Sequence, residues 1–130
     1  MYAMSQALTL DRALLATVLT VLLAALAFAG GAPAASTTTC DVRKDGRKLG
    51  TTYVTSLKVQ QVSCTKAKRV VKAFNVCRKA NGGVKGRCAK RVLGYRCTER
   101  RGNSIPTQYS AKATCKSSGR TVRFDYTQYT

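Results

Sequence analysis

The feature that most constrains the fold of this chain is its set of six cysteines. An even number of cysteines in a small exported chain is typical of a disulfide framework. A zinc site would need closely spaced thiolate or imidazole ligands, but the chain has no Cys-x-x-Cys pair and no histidine. We therefore expect three disulfides, no metal site and no cofactor. The cysteines are Cys40, Cys64, Cys77, Cys88, Cys97 and Cys115.

The N-terminal segment predicts export. Ala13 to Ala29 is apolar apart from two threonines, and the small-x-small sequence Ala32-Pro33-Ala34 follows it. These are features of a signal peptide and its cleavage site. We predict a signal peptide over residues 1–34 and a secreted, extracellular product with no transmembrane segment after cleavage. The alternative is a product tethered to the membrane by an uncleaved N-terminal segment, although the apolar run is shorter than the ~20 residues that span a bilayer.

The net charge of the chain is +18, from 23 lysines and arginines against 5 acidic residues. All of them except Asp11 and Arg12 follow the predicted cleavage site. A positive potential of this size concentrates polyanions, although the same charge also serves solubility alone. Candidate partners are therefore anionic wall polymers, acidic polysaccharides, lipid headgroups and extracellular nucleic acid. No signature of an RNA-binding sheet or a helix-turn-helix is present, so we expect no sequence-specific nucleic-acid binding.

One helix is predicted over Thr65 to Ala80, within a disulfide-stapled domain of residues 51–130. Its apolar side chains recur at the helical period, Ser63 or Thr65 can cap its start, and Asn81-Gly82-Gly83 ends it. Residues 35–50, which are polar and charged, are predicted to be flexible or irregular. The apolar stripe of the helix consists of Ala67, Val70, Val71, Phe74 and Cys77.

The remaining segments favour strands, because Thr, Val and Tyr are common in them or because their apolar residues alternate. A turn is expected between the second and third strands, and a further short strand within Val84 to Lys90. The fold class is therefore α+β, with one amphipathic helix packed on a small antiparallel sheet in the order β-α-β-β-β and stapled by three disulfides. The predicted strands are Thr51–Ser63, Arg91–Thr98, Tyr109–Cys115 and Arg120–Tyr126, and the turn is Arg100–Pro106.

The helix restricts the cysteine pairing. Cys64 and Cys77 are separated by about 20 Å of helical rise, whereas bridged Cα atoms lie within about 7 Å, so these two cannot pair. Twelve connectivities remain open. We favour Cys77–Cys88 across the glycine turn, Cys97–Cys115 between neighbouring strands, and Cys40–Cys64 for the remaining two.

Three motifs resemble a set of small secreted actinobacterial proteins of unknown function. They are VSC-x-x-A-(K/R)-x-V at Val62 to Val70, GYRC at Gly94 to Cys97, and C-x-x-x-G-x-x-V-x-F at Cys115 to Phe124. The resemblance covers Val62 to Tyr126. It implies export and a cysteine-opened helix followed by a cysteine-bearing β-meander, and it implies no activity.

The chain has few residues that could act as general acids or bases. Without histidine the commonest general base is missing, and only four acidic residues follow the leader. Asp41 and Asp45 lie among basic residues and are predicted to form local ion pairs. Only Glu99 or Asp125 could then act with a lysine or arginine, so we predict that the protein is not an enzyme.

These observations favour a secreted, strongly basic small domain that binds anionic extracellular polymers or the envelope surface. The alternative is a secreted toxin, inhibitor or antimicrobial protein acting on a protein or membrane target, with an exposed loop at Arg100–Gln108 as its contact. A membrane-lytic helix is disfavoured because its apolar face is expected to pack on the sheet. The predicted polyanion-binding residues lie on the outer face of the helix and are Lys68, Arg69, Lys72 and Lys79.

Overall fold

The computed structural model describes Gly31 and residues 33–130. The predicted signal peptide therefore lies outside the described residues, apart from Gly31, Pro33 and Ala34. In the described part of the chain, no helix has the length and apolar character of a membrane-spanning segment. The elements are strands β1 Thr37–Thr39 and β2 Tyr53–Gln60, helix α1 Cys64–Ala80, strands β3 Arg96–Ile105, β4 Gln108–Ser117 and β5 Arg120–Tyr129, and short 3-10 helices at Gly46–Lys48 and Gly83–Lys85.

The five strands form one antiparallel sheet in the order β1-β2-β5-β4-β3. The α+β class is confirmed, but the element order is β-β-α-β-β-β, so the predicted order lacked the first strand. The N-terminal segment predicted to be flexible contains this strand, since Thr37–Thr39 pairs with the edge of β2 at Lys58–Gln60. Threonine favours extended backbone, but three residues show no periodicity, so only the pairing partner defines β1.

Helix α1 forms and packs as its sequence pattern predicts. The Ser63 side chain caps its N-terminus by accepting a hydrogen bond from the Lys66 backbone N–H at 3.3 Å. Val70, Val71 and Phe74 are at most 1% exposed, and burying side chains of this size stabilises the fold by about 1.5–3 kcal/mol each. The Phe74 ring meets Phe124 of β5 edge-on at 5.6 Å. The helix therefore covers one face of the sheet.

The bounds of β3 differ most from the prediction. The strand begins at Arg96 because residues 92–95 form a tight turn, with Leu93 and Gly94 at φ 49° and 83° and a bridge between Val92 and Tyr95. The predicted turn at Arg100–Pro106 is instead largely strand. Within Val84 to Lys90 there is no strand, because the chain makes a 3-10 turn and then runs irregularly.

Three disulfides staple these elements. Cys40–Cys64 ties the segment after β1 to the start of α1, with a Cα separation of 5.6 Å. Cys77–Cys88 ties the end of α1 to the following loop at 5.3 Å. Cys97–Cys115 joins two directly opposite residues of β3 and β4 at 4.0 Å. These are the pairs that the sequence favoured.

Candidate anion-binding surface

The face of the sheet that α1 does not cover, here called the open face, carries a concentration of cations. Side chains alternate between the two faces of a strand. Leu57, Phe124 and Ala113 point toward α1 and are buried, so their sequence neighbours point to the open face. Six exposed cations of the open face come from four strands, and they are Lys58, Arg96, Arg100, Lys112, Lys116 and Arg123.

The strand register sets these cations directly opposite one another. Arg96 lies opposite Lys116, and Arg100 lies opposite Lys112. Nearer the other edge of the sheet, and on the same open face, Lys58 lies opposite Arg123. Like charges in such positions destabilise a sheet. Among the described residues of the open face only Asp125, opposite Lys112, is acidic. The surface therefore carries three like-charge pairs and one carboxylate.

The ion pairs of the described residues lie elsewhere. Arg43 bonds Asp41 at 3.0 Å and lowers the pKa of that carboxyl to about 2, chiefly through this hydrogen bond. The hydrogen bond from Lys68 lowers the pKa of Asp45 in the same way. The third pair, Glu99 with Arg101, lies on the covered side. The predicted ion pairing of Asp41 is local, whereas Asp45 reaches the helix. No cation of the open face is neutralised by these pairs.

Hydroxyl groups and one aromatic pair complete the open face. Tyr53 and Tyr129 meet edge-on at 5.8 Å at one end of it. The Arg47 guanidinium lies 4.5 Å from the centre of the Tyr53 ring and donates to its hydroxyl at 2.7 Å. The other strand aromatics are core residues, since Tyr109 and Tyr126 are at most 4% exposed. The hydroxyl residues among the cations are Ser56, Thr98, Ser110, Thr114 and Thr127.

The cations predicted on the outer face of α1 are less densely placed than those of the open face. Lys68 is half-buried and bonded to Asp45 at 2.6 Å, whereas Arg69, Lys72 and Lys79 are exposed. Arg69 and Lys72 flank an apolar groove of about 430 Å³ that includes the exposed side chain of Val76. This surface lies on the side of α1 away from the sheet. Asn75, next to Val76 in the helix, is buried.

Arg78 is a buried cation that the sequence analysis did not identify. Its side chain is inaccessible to solvent and donates to Tyr109 Oη at 2.8 Å and Gln128 Oε1 at 2.8 Å. It also donates to Asn75 Oδ1 and to the Val84 carbonyl. Its burial was indicated in the sequence by its position four residues after Phe74, which places it on the buried stripe of the helix.

The remaining acids do not converge. Glu99 alternates with Arg100 on β3 and points to the covered side, where its side chain is 5% exposed, whereas Asp125 lies on the open face. The two carboxylates are thus on opposite sides of the sheet. Within residues 33–130 no group of three or more potential metal ligands comes together.

Comparison with family models, curated proteins and solved structures finds no match.

Proposed function

We propose that this chain is a secreted, non-enzymatic binding domain whose open face attaches to anionic polymers outside the cell or on the envelope surface. The observation that supports the proposal most directly is the set of three directly opposed cation pairs. Each pair costs folding stability, and a polyanion lying across the strands would neutralise all three. A requirement for solubility alone would be met by cations dispersed over the whole surface.

The geometry of the open face favours an extended partner. Two of the pairs lie four residues apart on β3 and β4, which is about 14 Å along the strands. The third pair lies across β2 and β5. The hydroxyls between them can donate to anionic oxygens. All six cations of the open face belong to strands. Their backbone is therefore already ordered before binding, and the entropic cost of association is reduced.

Membrane disruption by α1 is less well supported. Insertion of an amphipathic helix requires a free apolar face, but Val70, Val71 and Phe74 are buried against the sheet. Val76, 59% exposed, is the one large apolar side chain that α1 presents to solvent. The helix cations nevertheless form a second basic surface, so the test must compare the two.

The test uses two triple variants with the same net charge. The open-face variant carries Lys58→Gln, Arg100→Gln and Arg123→Gln, and the helix variant carries Arg69→Gln, Lys72→Gln and Lys79→Gln. Binding of heparin and of a single-stranded oligothymidylate is measured by calorimetry over a range of salt concentrations. Each lost phosphate contact lowers the log–log salt slope by about 0.7 for a single strand.

We expect the slope of the open-face variant to fall by about 2 and its affinity to fall at every salt concentration. The helix variant should lose less of both. If the helix variant loses as much, net charge alone governs binding, and if it loses more, the helix face predicted from the sequence is the contact surface. Failure of the wild-type domain to bind either polymer at low salt would reject the proposal altogether.

A further inference from the structure

A cleft of about 570 Å³ lies at the end of the sheet where β3 begins and β4 turns into β5. Four of its lining residues are cations and none is acidic. The serines at the turn, Ser117 and Ser118, add hydroxyl groups. The four cations are Arg91, Arg96, Lys116 and Arg120.

Two tight turns hold these cations in place. Arg91 and Arg96 flank the turn at residues 92–95, whose end residues exchange backbone hydrogen bonds at 2.9 Å. The Arg91 guanidinium also donates to the carbonyl of Gly94 within that turn, at 3.3 Å. On the other side, Lys116 and Arg120 flank the β4–β5 turn, in which Ser118 and Gly119 have φ 42° and 78°. A two-residue turn with both φ angles positive matches the twist of a hairpin, so β4 and β5 stay paired up to the edge of the cleft.

The charge of the cleft has no internal counterion. Arg96 and Lys116 are directly opposite in the register of β3 and β4. In the described part of the chain, the ion pairs join Asp41 with Arg43, Asp45 with Lys68, and Glu99 with Arg101. All four cations of the cleft are therefore free of protein ion pairs, and an anion bound among them would relieve their repulsion.

We propose that this cleft is a subsite for one tetrahedral oxyanion, the phosphate or sulfate group of the bound polymer or the free ion. Guanidinium groups present paired donors that match such oxygens, and the serine hydroxyls supply neutral donors. The inference rests on the proposed function in assigning the group to a polymer. The cleft itself can be tested without any polymer.

The test is a backbone amide NMR titration of the folded domain with inorganic phosphate and with sodium sulfate at constant ionic strength. We expect saturable shifts confined to residues 91–96 and 116–121. Inorganic phosphate changes from a monoanion to a dianion as the pH rises through neutrality, and the larger charge is attracted more strongly by the cations. Phosphate affinity should therefore rise between pH 5 and 7.5 while sulfate affinity stays constant. The four charged groups of the cleft are arginine or lysine, and the chain has no histidine to titrate in this range.

The variant Arg96→Gln/Arg120→Gln should weaken binding of both ions at least about tenfold, because each lost bond is charge-assisted. The variant Lys44→Gln/Lys48→Gln removes the same charge from exposed positions outside the cleft and should leave the affinity unchanged. Equal weakening by the two variants, or shifts that do not saturate and spread over all cations, would overturn the subsite. If the subsite is overturned but the domain still binds heparin, the proposed function remains intact. If the domain binds phosphate and sulfate saturably but binds no polymer, the proposed function is rejected and the subsite remains.

Discussion

Replacing Arg78 tests whether a buried cation without a carboxylate partner stabilises this fold. The guanidinium donates to two side-chain oxygens at 2.8 Å, to Asn75 Oδ1 at 3.1 Å and to the Val84 carbonyl at 2.7 Å. It also lies 5.1 Å from the centre of the Tyr126 ring. All of these partners are neutral, so the hydrogen bonds and the aromatic ring must offset the loss of hydration of the charge.

The magnitude follows from what the variant Arg78→Met leaves behind. Hydrogen bonds to a charged group contribute about 1.5–3 kcal/mol each, and desolvation of the cation costs several kcal/mol. Without Arg78, the Val84 carbonyl still accepts from Tyr109 at 2.7 Å. Gln128 Oε1 retains only a 3.4 Å contact with the Thr51 hydroxyl, which also donates to the Thr127 carbonyl at 3.0 Å. Asn75 Oδ1 has no other hydrogen bond and would be left buried without a partner. We expect a net loss of about 3 kcal/mol in the free energy of unfolding.

The measurement is urea unfolding of the oxidised domain, analysed by linear extrapolation. Arg69→Met is the matched control, because it removes the same charge from an exposed position of the same helix and should change stability by no more than about 0.5 kcal/mol. Arg78→Lys should fall between the two, since an ammonium group cannot span all four acceptors. A loss of less than about 1 kcal/mol for Arg78→Met would refute the reasoning and show that an apolar isostere serves equally well.

Three further outcomes are expected. Asp125→Asn should strengthen heparin binding and steepen its salt dependence, because it removes the carboxylate of the open face. The control Asp45→Asn removes the same charge near α1 and should have a smaller effect on heparin binding. A larger effect of Asp45→Asn in calorimetry would contradict the open-face assignment. Burial raises the pKa of the Tyr126 phenol, so the folded state favours its neutral form. The contribution of this neutral phenol to stability is full below its ordinary pKa of 10.0 and declines above it. The phenolate absorbance of Tyr126 should therefore appear only on alkaline unfolding. Removing the Cys40–Cys64 bridge by a double serine substitution should lower the free energy of urea unfolding by about 3.5 kcal/mol, as expected for a sequence separation of 24 residues. A loss no larger than that caused by substituting two exposed serines would contradict the entropic account.

The helix was predictable because its signal is local. The spacing of Val70, Val71 and Phe74 repeats at the helical period, and Ser63 supplies the cap, so bounds and buried stripe follow from about 20 consecutive residues. The same stripe contained the information that Arg78 is buried. Its charge concealed this, since a cation in the last turn is also expected from the helix dipole.

The open face was not predictable in the same way, because it depends on pairing between distant segments. Lys58 and Arg123 are opposite only because β2 pairs with β5 across the intervening helix and hairpin. A shift of one residue in register would move every side chain to the other face. The sequence also began β3 at Arg91, whereas the turn at residues 92–95 delays the strand to Arg96. Arg96 is therefore the first residue of β3, and it lies opposite Lys116.

A small chain of this charge needs interactions that offset the repulsion among its exposed cations. Self-repulsion among cations opposes compaction, and the three opposed pairs on the open face add a local cost. The disulfides offset part of this cost by restricting the unfolded chain, and the network around Arg78 joins the end of α1 to β4 and β5 from within the core. A ligand that binds only the native state stabilises it by about 2.7 kcal/mol at 100 times its dissociation constant. If the proposed function holds, a polymer that neutralised these pairs would recover the stability that they remove, and the repulsion on the open face would be linked to anion binding.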